Sequence, residues 1–318
     1  MFTTRCGKPQ RKRSLAVSGS VLLVVLAVAL LPDRTCARGG MQDDSTRSSS
    51  GADSSSAVDN LKWYSMFTNI PGDWSRYTDV TFRKDNLTSM VGMTLLTGAL
   101  IVTDDQTWTM AHRFYHGSSF VKGTSDFFEY LGDGRPQFGL AAGFAAYGFA
   151  FGDKRALRTA SQVVEVILAC GTVVQVLKHI TGRESPFVST RPGGRWVFFP
   201  NQIQYHKHVP HYDAYPSGHI ATALATVTVV AENYPEWKWV KPIGYPVVAL
   251  IGIAMGNTGI HWYSDYPLGL SLGYVFGMIA SHPEGLPEEK ESQGSSPDVS
   301  VTPMVGPMGS GVTVMLRF

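Results

Sequence analysis

Pro216-Ser217-Gly218-His219, running straight into Ile220-Ala221-Thr222-Ala223-Leu224, is the stretch from which the rest of the chain is read. The apolar run after His219 predicts a helix over 217–233, opened by Ser217 and Gly218. A helix start leaves backbone N–H groups unpaired at the positive end of the helix dipole. Ser217 and Gly218 therefore offer N–H donors and a hydroxyl to an anion. Further along stands His261-Trp262-Tyr263-Ser264-Asp265. Four apart, His261 and Asp265 share a face if this segment is helical, and the carboxylate then holds one imidazole nitrogen as N–H while the other keeps its lone pair. Two histidines beside an anion seat supply an attacking nitrogen and a proton donor, the two groups that phosphoryl transfer needs.

Upstream lies Gln175-Val176-Leu177-Lys178-His179-Ile180-Thr181-Gly182-Arg183-Glu184-Ser185-Pro186. With it the chain resembles the type 2 phosphatidic acid phosphatase and vanadium haloperoxidase superfamily, whose pattern reads K-x6-R-P, then P-S-G-H, then S-R-x5-H-x3-D. Lys178, Pro186, Pro216 to His219, His261 and Asp265 match in kind, order and spacing, over about Ala160 to His282. The resemblance implies an all-α helical bundle with the site between helices. It also implies roles: Lys178, Ser217 and Gly218 seat the phosphoryl group, His261 attacks it, Asp265 orients His261, and His219 protonates the leaving oxygen.

The chain departs from that pattern at two arginines. Ser185 stands at the first, and Ala254-Met255 stand where the third motif has Ser-Arg. Neither serine nor methionine supplies the charged planar fork that binds phosphate in a bidentate way. Arg183, Arg191 and Arg195 are the candidate replacements, the last two on the Gly-rich segment Ser189-Thr190-Arg191-Pro192-Gly193-Gly194-Arg195-Trp196. The plainer alternative has Arg183 pair with Glu184 or cap a helix end and leaves Arg191 and Arg195 in solvent.

Tyr205-His206-Lys207-His208-Val209-Pro210-His211-Tyr212-Asp213 gathers three histidines, a lysine and an aspartate. His206 and His208 alternate as on an extended strand, yet Pro210 breaks the regularity and no zinc spacing supports a metal, so the expectation is a polar rim without metal or cofactor. The run Trp196-Val197-Phe198-Phe199-Pro200 either meets lipid or packs over the bundle.

Of 318 residues, 44% are hydrophobic and 16% charged, as a chain of many buried helices requires. Arg5, Lys8, Arg11, Lys12 and Arg13 precede an apolar run from Leu15 to Leu31, and Thr35-Cys36-Ala37 resembles a cleavage site. Residues 1–37 thus read as a signal peptide or an uncleaved N-terminal anchor, which predicts export to the cell envelope. Without them the formal charge moves from +2 to −3, a balance that excludes a nucleic-acid partner. Cys170 is then the one remaining thiol and reads as buried and inert.

Residues 38–84 read as a flexible spacer and N-terminal lead-in, with order beginning near Val58. The expected helices, at 86–103, 106–117, 121–132, 137–152, 155–181, 217–233, 238–257 and 261–281, make a helical domain over 85–282. Apolar stretches at 90–102 and 139–152 look too short to span a bilayer, which favours a bundle lying against a membrane surface. Residues 283–318 read as a linker and an alternating, hairpin-like β tail. The function expected is an exported phosphohydrolase of a lipid or isoprenoid phosphate, working through a phosphohistidine. The alternative is a PAP2-fold protein of altered or lost chemistry that binds a lipid, glycan or partner. Vanadate-dependent haloperoxidation ranks third.

Overall fold

The computed structural model describes residues 64–286, together with the backbone of 298–306 and 309–317. The expected signal segment 1–37 and most of the spacer lie outside these residues. Within 64–286 the elements are helices: α1 (Ser65–Thr68), α2 (Ile70–Thr81), α3 (Leu87–His116), α4 (Ser119–Gly132), α5 (Gly134–Phe151), α6 (Lys154–Thr181), α7 (Gln202–Lys207), α8 (Gly218–Asn233), α9 (Val240–Thr258) and α10 (Tyr266–Ser281). Single 3-10 turns link several of them.

Their ends follow local chemistry. Ser118, Asp133 and Asp153 cap α4, α5 and α6 by accepting backbone N–H bonds in the first turn. Gly152, Gly182 and Gly259 close α5, α6 and α9 in the left-handed conformation.

Three expectations change. The helices at 86–103 and 106–117 are one 30-residue helix, α3, because Asp104 does not break it but turns inward to a buried partner. The helix expected from 261 begins at Tyr266, with Pro267 in its first turn, so His261 lies in the preceding connection. The 38–84 lead-in contains helices α1 and α2, and these dock on the bundle: Asn69 Nδ2 donates to Glu165 Oε2 at 3.1 Å and Trp74 Nε1 to the Ala169 carbonyl at 3.1 Å.

The bundle turns on the antiparallel pair α6 and α8. Thr181 Oγ1 donates to the Tyr215 carbonyl at one end, and Asn233 Nδ2 donates to Gln162 Oε1 at the other. Against α8 packs α10 with a row of small residues four apart. A Cβ on Gly273 would stand 2.2 Å from the Ala221 carbonyl oxygen, and one on Gly269 2.7 Å from that of Ser217. This close crossing sets the start of α8 beside the turn that precedes α10, where Ser217 N donates to the Asp265 carbonyl at 3.0 Å. Ile220, Leu224, Ile251, Met255 and Tyr266 fill the core beneath.

Three segments, Lys84–His116, Lys154–Thr181 and Val240–Thr258, are long and apolar enough to cross a membrane by length and composition. This revises the expectation for the stretch at 90–102, since α3 continues past it, but not for the stretch at 139–152, which lies in none of the three. Two polar side chains of α6, Gln162 and Glu165, are engaged inside the protein, while Gln175 is exposed. Gln162 Nε2 donates to the Ala280 carbonyl at 2.6 Å, and Asn69 serves Glu165. The tail forms a separate unit, an antiparallel hairpin of β1 (Asp298–Gly306) and β2 (Gly309–Arg317) with Val301 opposite Val314.

Candidate active site

Lys178 ends α6, Ser217 to His219 open α8, and His261 to Asp265 join α9 to α10; all come to one end of the bundle. His219 Nδ1 lies 3.1 Å from His261 Nε2, with the rings edge to face. His261 Nδ1 lies 2.7 Å from the Ala214 carbonyl and 3.5 Å from Asp265 Oδ2. A carbonyl only accepts, so Nδ1 carries the hydrogen and Nε2 keeps its lone pair, to which His219 Nδ1–H then donates.

His261 and Asp265 do not share a helical face. The imidazole is oriented first by the Ala214 carbonyl, while the carboxylate is engaged elsewhere, accepting from Trp262 N at 2.7 Å and from Arg183 Nη1 at 2.6 Å. The two rings are in direct contact, with no phosphate-sized gap between them.

Lys178 is buried, and its Nζ stands 3.6 Å from Asp213 Oδ2. Ser217 Oγ is buried without a hydrogen-bond partner at the start of α8. Burial, then the charge of Lys178, pushes His261 down to about 3. Burial, His261 and Lys178 do the same to His219, also to about 3. Both rings are therefore neutral near pH 7, with a cation beside them and a free hydroxyl. An anion of two charges placed here would offset the cation and restore basicity to the rings. Burial raises Asp265 to about 6 against the opposing pull of Arg183.

Arg183 points inward but does not face an open anion seat. It is fully buried, and its Nη groups are taken: Nη1 by Ser264 Oγ and Asp265 Oδ1 at 2.6 Å each, Nη2 by Asp104 Oδ2 at 2.6 Å and the Gly193 carbonyl at 2.8 Å. The rings of Trp196 and Trp262 lie 4.7 and 5.3 Å from its guanidinium carbon. Arg191 is exposed; Arg195 is exposed too, with Nε 3.5 Å from the buried Glu184. That Glu184 is not the partner of Arg183 corrects the plainer alternative as well. At the two departed positions, Ser185 is buried and Met255 is fully enclosed in the core.

Sequence reasoning missed Asp104 and the Ala214 carbonyl. A charged doublet, Asp104-Asp105, inside an apolar helix was the available signal for the first; a carbonyl leaves no trace in residue types. The 205–213 cluster is a short helix and a 3-10 turn, not a strand. His179 stacks on Tyr205 at 4.0 Å, and His211 Nδ1 lies 3.6 Å from Glu184. Among the described residues no three His, Cys, Asp or Glu side chains are placed to hold a metal ion.

Residues 159–283 match the model of the PAP2 superfamily. The lipid A 1-phosphatase of Porphyromonas gingivalis is 35% identical over 68 residues, 21% of this chain and 15% of that protein, so the similarity reaches only a small part of that relative's length. Among solved structures, the transmembrane PAP2-type phosphatidylglycerolphosphate phosphatase of Bacillus subtilis aligns with a TM-score of 0.46 and 17% identity, over 64% of this chain and 98% of that one. Aquifex aeolicus LpxE aligns with a TM-score of 0.42 and 21% identity, over 55% and 92%. Within the PAP2 region fall Lys178, Ser217, His219, His261 and Asp265; Asp104 lies outside it.

Proposed function

We propose that this chain is a PAP2-type phosphohydrolase of a lipid or isoprenoid phosphate, carried in the cell envelope by membrane-crossing α3, α6 and α9. The observation that carries this reading is the His219–His261 contact, with the His261 tautomer fixed by a carbonyl, beside a buried lysine and an unpartnered serine hydroxyl. The family match and the short similarity to a lipid A 1-phosphatase support lipid phosphate as the substrate class. The basic and apolar residues 1–37 support export.

In the proposed sequence the phosphate enters between the two rings and takes the place of their mutual hydrogen bond. Lys178, the Ser217 hydroxyl and the N–H groups opening α8 hold its oxygens. His261 Nε2 forms the new P–N bond as the P–O bond to the leaving group breaks. His219, protonated once the dianion has raised its affinity for a proton, delivers that proton to the departing oxygen. Neutral His219 then takes a proton from water as the oxygen attacks phosphorus, and the P–N bond breaks to release phosphate. Arg183 acts through Asp265 and the Trp262 turn, holding the segment that presents His261.

The commitment of Arg183 favours a second reading, a binding protein that keeps the pocket without turnover, because no guanidinium among the described residues stands free beside Lys178. Purified full-length protein offered a panel of isoprenyl, phosphatidyl and glycolipid phosphates, without added metal, separates the two. Phosphate release abolished by His261→Ala supports hydrolysis; binding without release across the panel supports the second reading.

A further inference from the structure

We propose that the loop apex Phe198-Phe199, with Ile203 on the following helix α7, inserts into the lipid leaflet at which α6 ends, and so holds the mouth of the Lys178 site at headgroup level. The inference rests on the membrane-crossing reading of α6 and adds the leaflet contact.

The apex is tied by its backbone to the end of α6. Glu184 N donates to the Arg195 carbonyl, Val197 N to that of Gly182 and Phe199 N to that of Ile180, at 2.9, 3.0 and 2.8 Å. Gly182 has a φ of 52°, and a Cβ there would stand 2.1 Å from the Val197 carbonyl oxygen, so only glycine admits this approach. Trp196 faces inward, over Arg183. Phe198 lies beside it, ring centroids 6.1 Å apart, yet is 64% exposed. Phe199, with a φ of 52°, is exposed as well, at 75%. A left-handed phenylalanine is unfavourable, and what this one gains is a second aromatic ring in the open. Ile203 is 66% exposed beyond them.

Lipid is the occupant that fits. Residues 186–212 carry Arg191, Arg195 and Lys207 and no aspartate or glutamate, so aromatic rings stand among cations, as at an anionic headgroup layer. The level is right as well. Residues 87–102 of α3 carry no charge, span about 24 Å, and expose Leu87, Val91, Leu95 and Val102. The next buried charge, Asp104, binds Arg183, beside the residues that α6 hands to the loop.

The test places a fluorophore on Phe198→Cys in full-length protein, with Cys6 and Cys36 replaced by serine and Cys170 left buried. The vesicles are phosphatidylcholine with about a quarter phosphatidylglycerol. Stronger quenching by headgroup-level nitroxide lipid than by aqueous iodide is expected. Quenching by iodide alone, or shielding from both, overturns the proposal, the latter assigning the apex to a protein contact or a second copy. A parallel probe at Leu95→Cys, quenched by a nitroxide deep in the acyl chains, tests the membrane-crossing reading separately, so either idea can fail alone. With the probe moved to Ile203→Cys, the pair Phe198→Ser and Phe199→Gly should cut lipid quenching about threefold or more, the glycine keeping the positive φ. Unchanged quenching there removes the aromatic apex from the contact.

Discussion

Replacing Arg183 by methionine separates a structural guanidinium from a phosphate ligand. In the native chain one buried arginine faces two fully buried carboxylates, Asp104 and Asp265, each at 2.6 Å, with the Ser264 hydroxyl and the Gly193 carbonyl on its remaining Nη hydrogens. The pair need not be stabilising relative to apolar groups, because desolvating three charges is expensive. Removing one partner is different, since it strands the others in a low dielectric, and breaking a buried pair costs about 3–5 kcal/mol. For a bundle of this size each kcal/mol moves the midpoint by roughly 2–4 °C, so Arg183→Met should lower the apparent melting temperature by about 6–20 °C.

The loss should be partly reversed by Asp104→Asn in the same background, which removes one of the two stranded charges. Thermal unfolding of detergent-solubilised protein, followed by intrinsic fluorescence, measures both variants. A phosphate ligand behaves otherwise: its loss weakens the protein's protection by inorganic phosphate and leaves the ligand-free midpoint nearly unchanged. An Arg183→Met variant melting within about 3 °C of the parent, or one made still less stable by Asp104→Asn, would refute the buried-network account.

Three further outcomes follow from the same coordinates. As pH falls below about 6.5, unfolded His219 and His261 take up protons that the folded rings, held near 3, refuse, so each costs up to about 1.4 kcal/mol per pH unit; between about 6 and 4 Asp265, raised to about 6 in the fold, opposes one of them. In denaturant titrations across pH 4 to 7, His219→Gln plus His261→Asn should therefore gain stability relative to the parent as pH falls. Gly273→Ala, which drives a methyl toward the Ala221 carbonyl, should cost at least about 1–3 kcal/mol in the same titrations, whereas Gly139→Ala, with open space around it, should cost nothing. Restoring arginine at Ser185 and Met255 should lower the ligand-free midpoint, because Met255 is enclosed by apolar side chains, and should let inorganic phosphate raise it more than in the parent; a midpoint insensitive to phosphate would count against an anion seat at this end of the bundle.

What the sequence disclosed was chemistry with a spacing. His219, at the head of an apolar helix, and Lys178, at the foot of another, announce themselves because a helix end in an apolar run is the place where charge is tolerated and anions are bound. The α8–α10 crossing left a signal that went unread, the repeat of Gly269, Gly273 and Gly277 at helical spacing. The environment of His261 was not. Its ring is oriented by the carbonyl of Ala214, distant in sequence, and a backbone group carries no residue signature. Continuity of α3 was hidden for a related reason. Asp104 looked like an interruption, because its counter-charge, Arg183, comes from a loop that follows another three helices.

The position of that counter-charge bears on what the site can do. A phosphoryl transition state spreads charge over three equatorial oxygens and is stabilised by donors already in place when it forms. Here the Nη groups of Arg183 are taken by two carboxylates, a hydroxyl and a carbonyl before any anion arrives. For the proposed phosphate, that leaves Lys178, the Ser217 hydroxyl and the opening N–H groups of α8. Each charge-assisted hydrogen bond contributes about 1.5–3 kcal/mol, so a site holding one cation in place of three gives up several factors of ten in rate unless its substrate brings binding energy from elsewhere. A lipid can do so, because energy from its non-reacting tail can be used to force the phosphate between two imidazoles that otherwise bond to each other. On this argument turnover of a long-chain lipid phosphate should exceed that of inorganic pyrophosphate or a short-chain monoester by far more than partitioning explains. Equal turnover would place the missing stabilisation inside the protein, on a cation that moves.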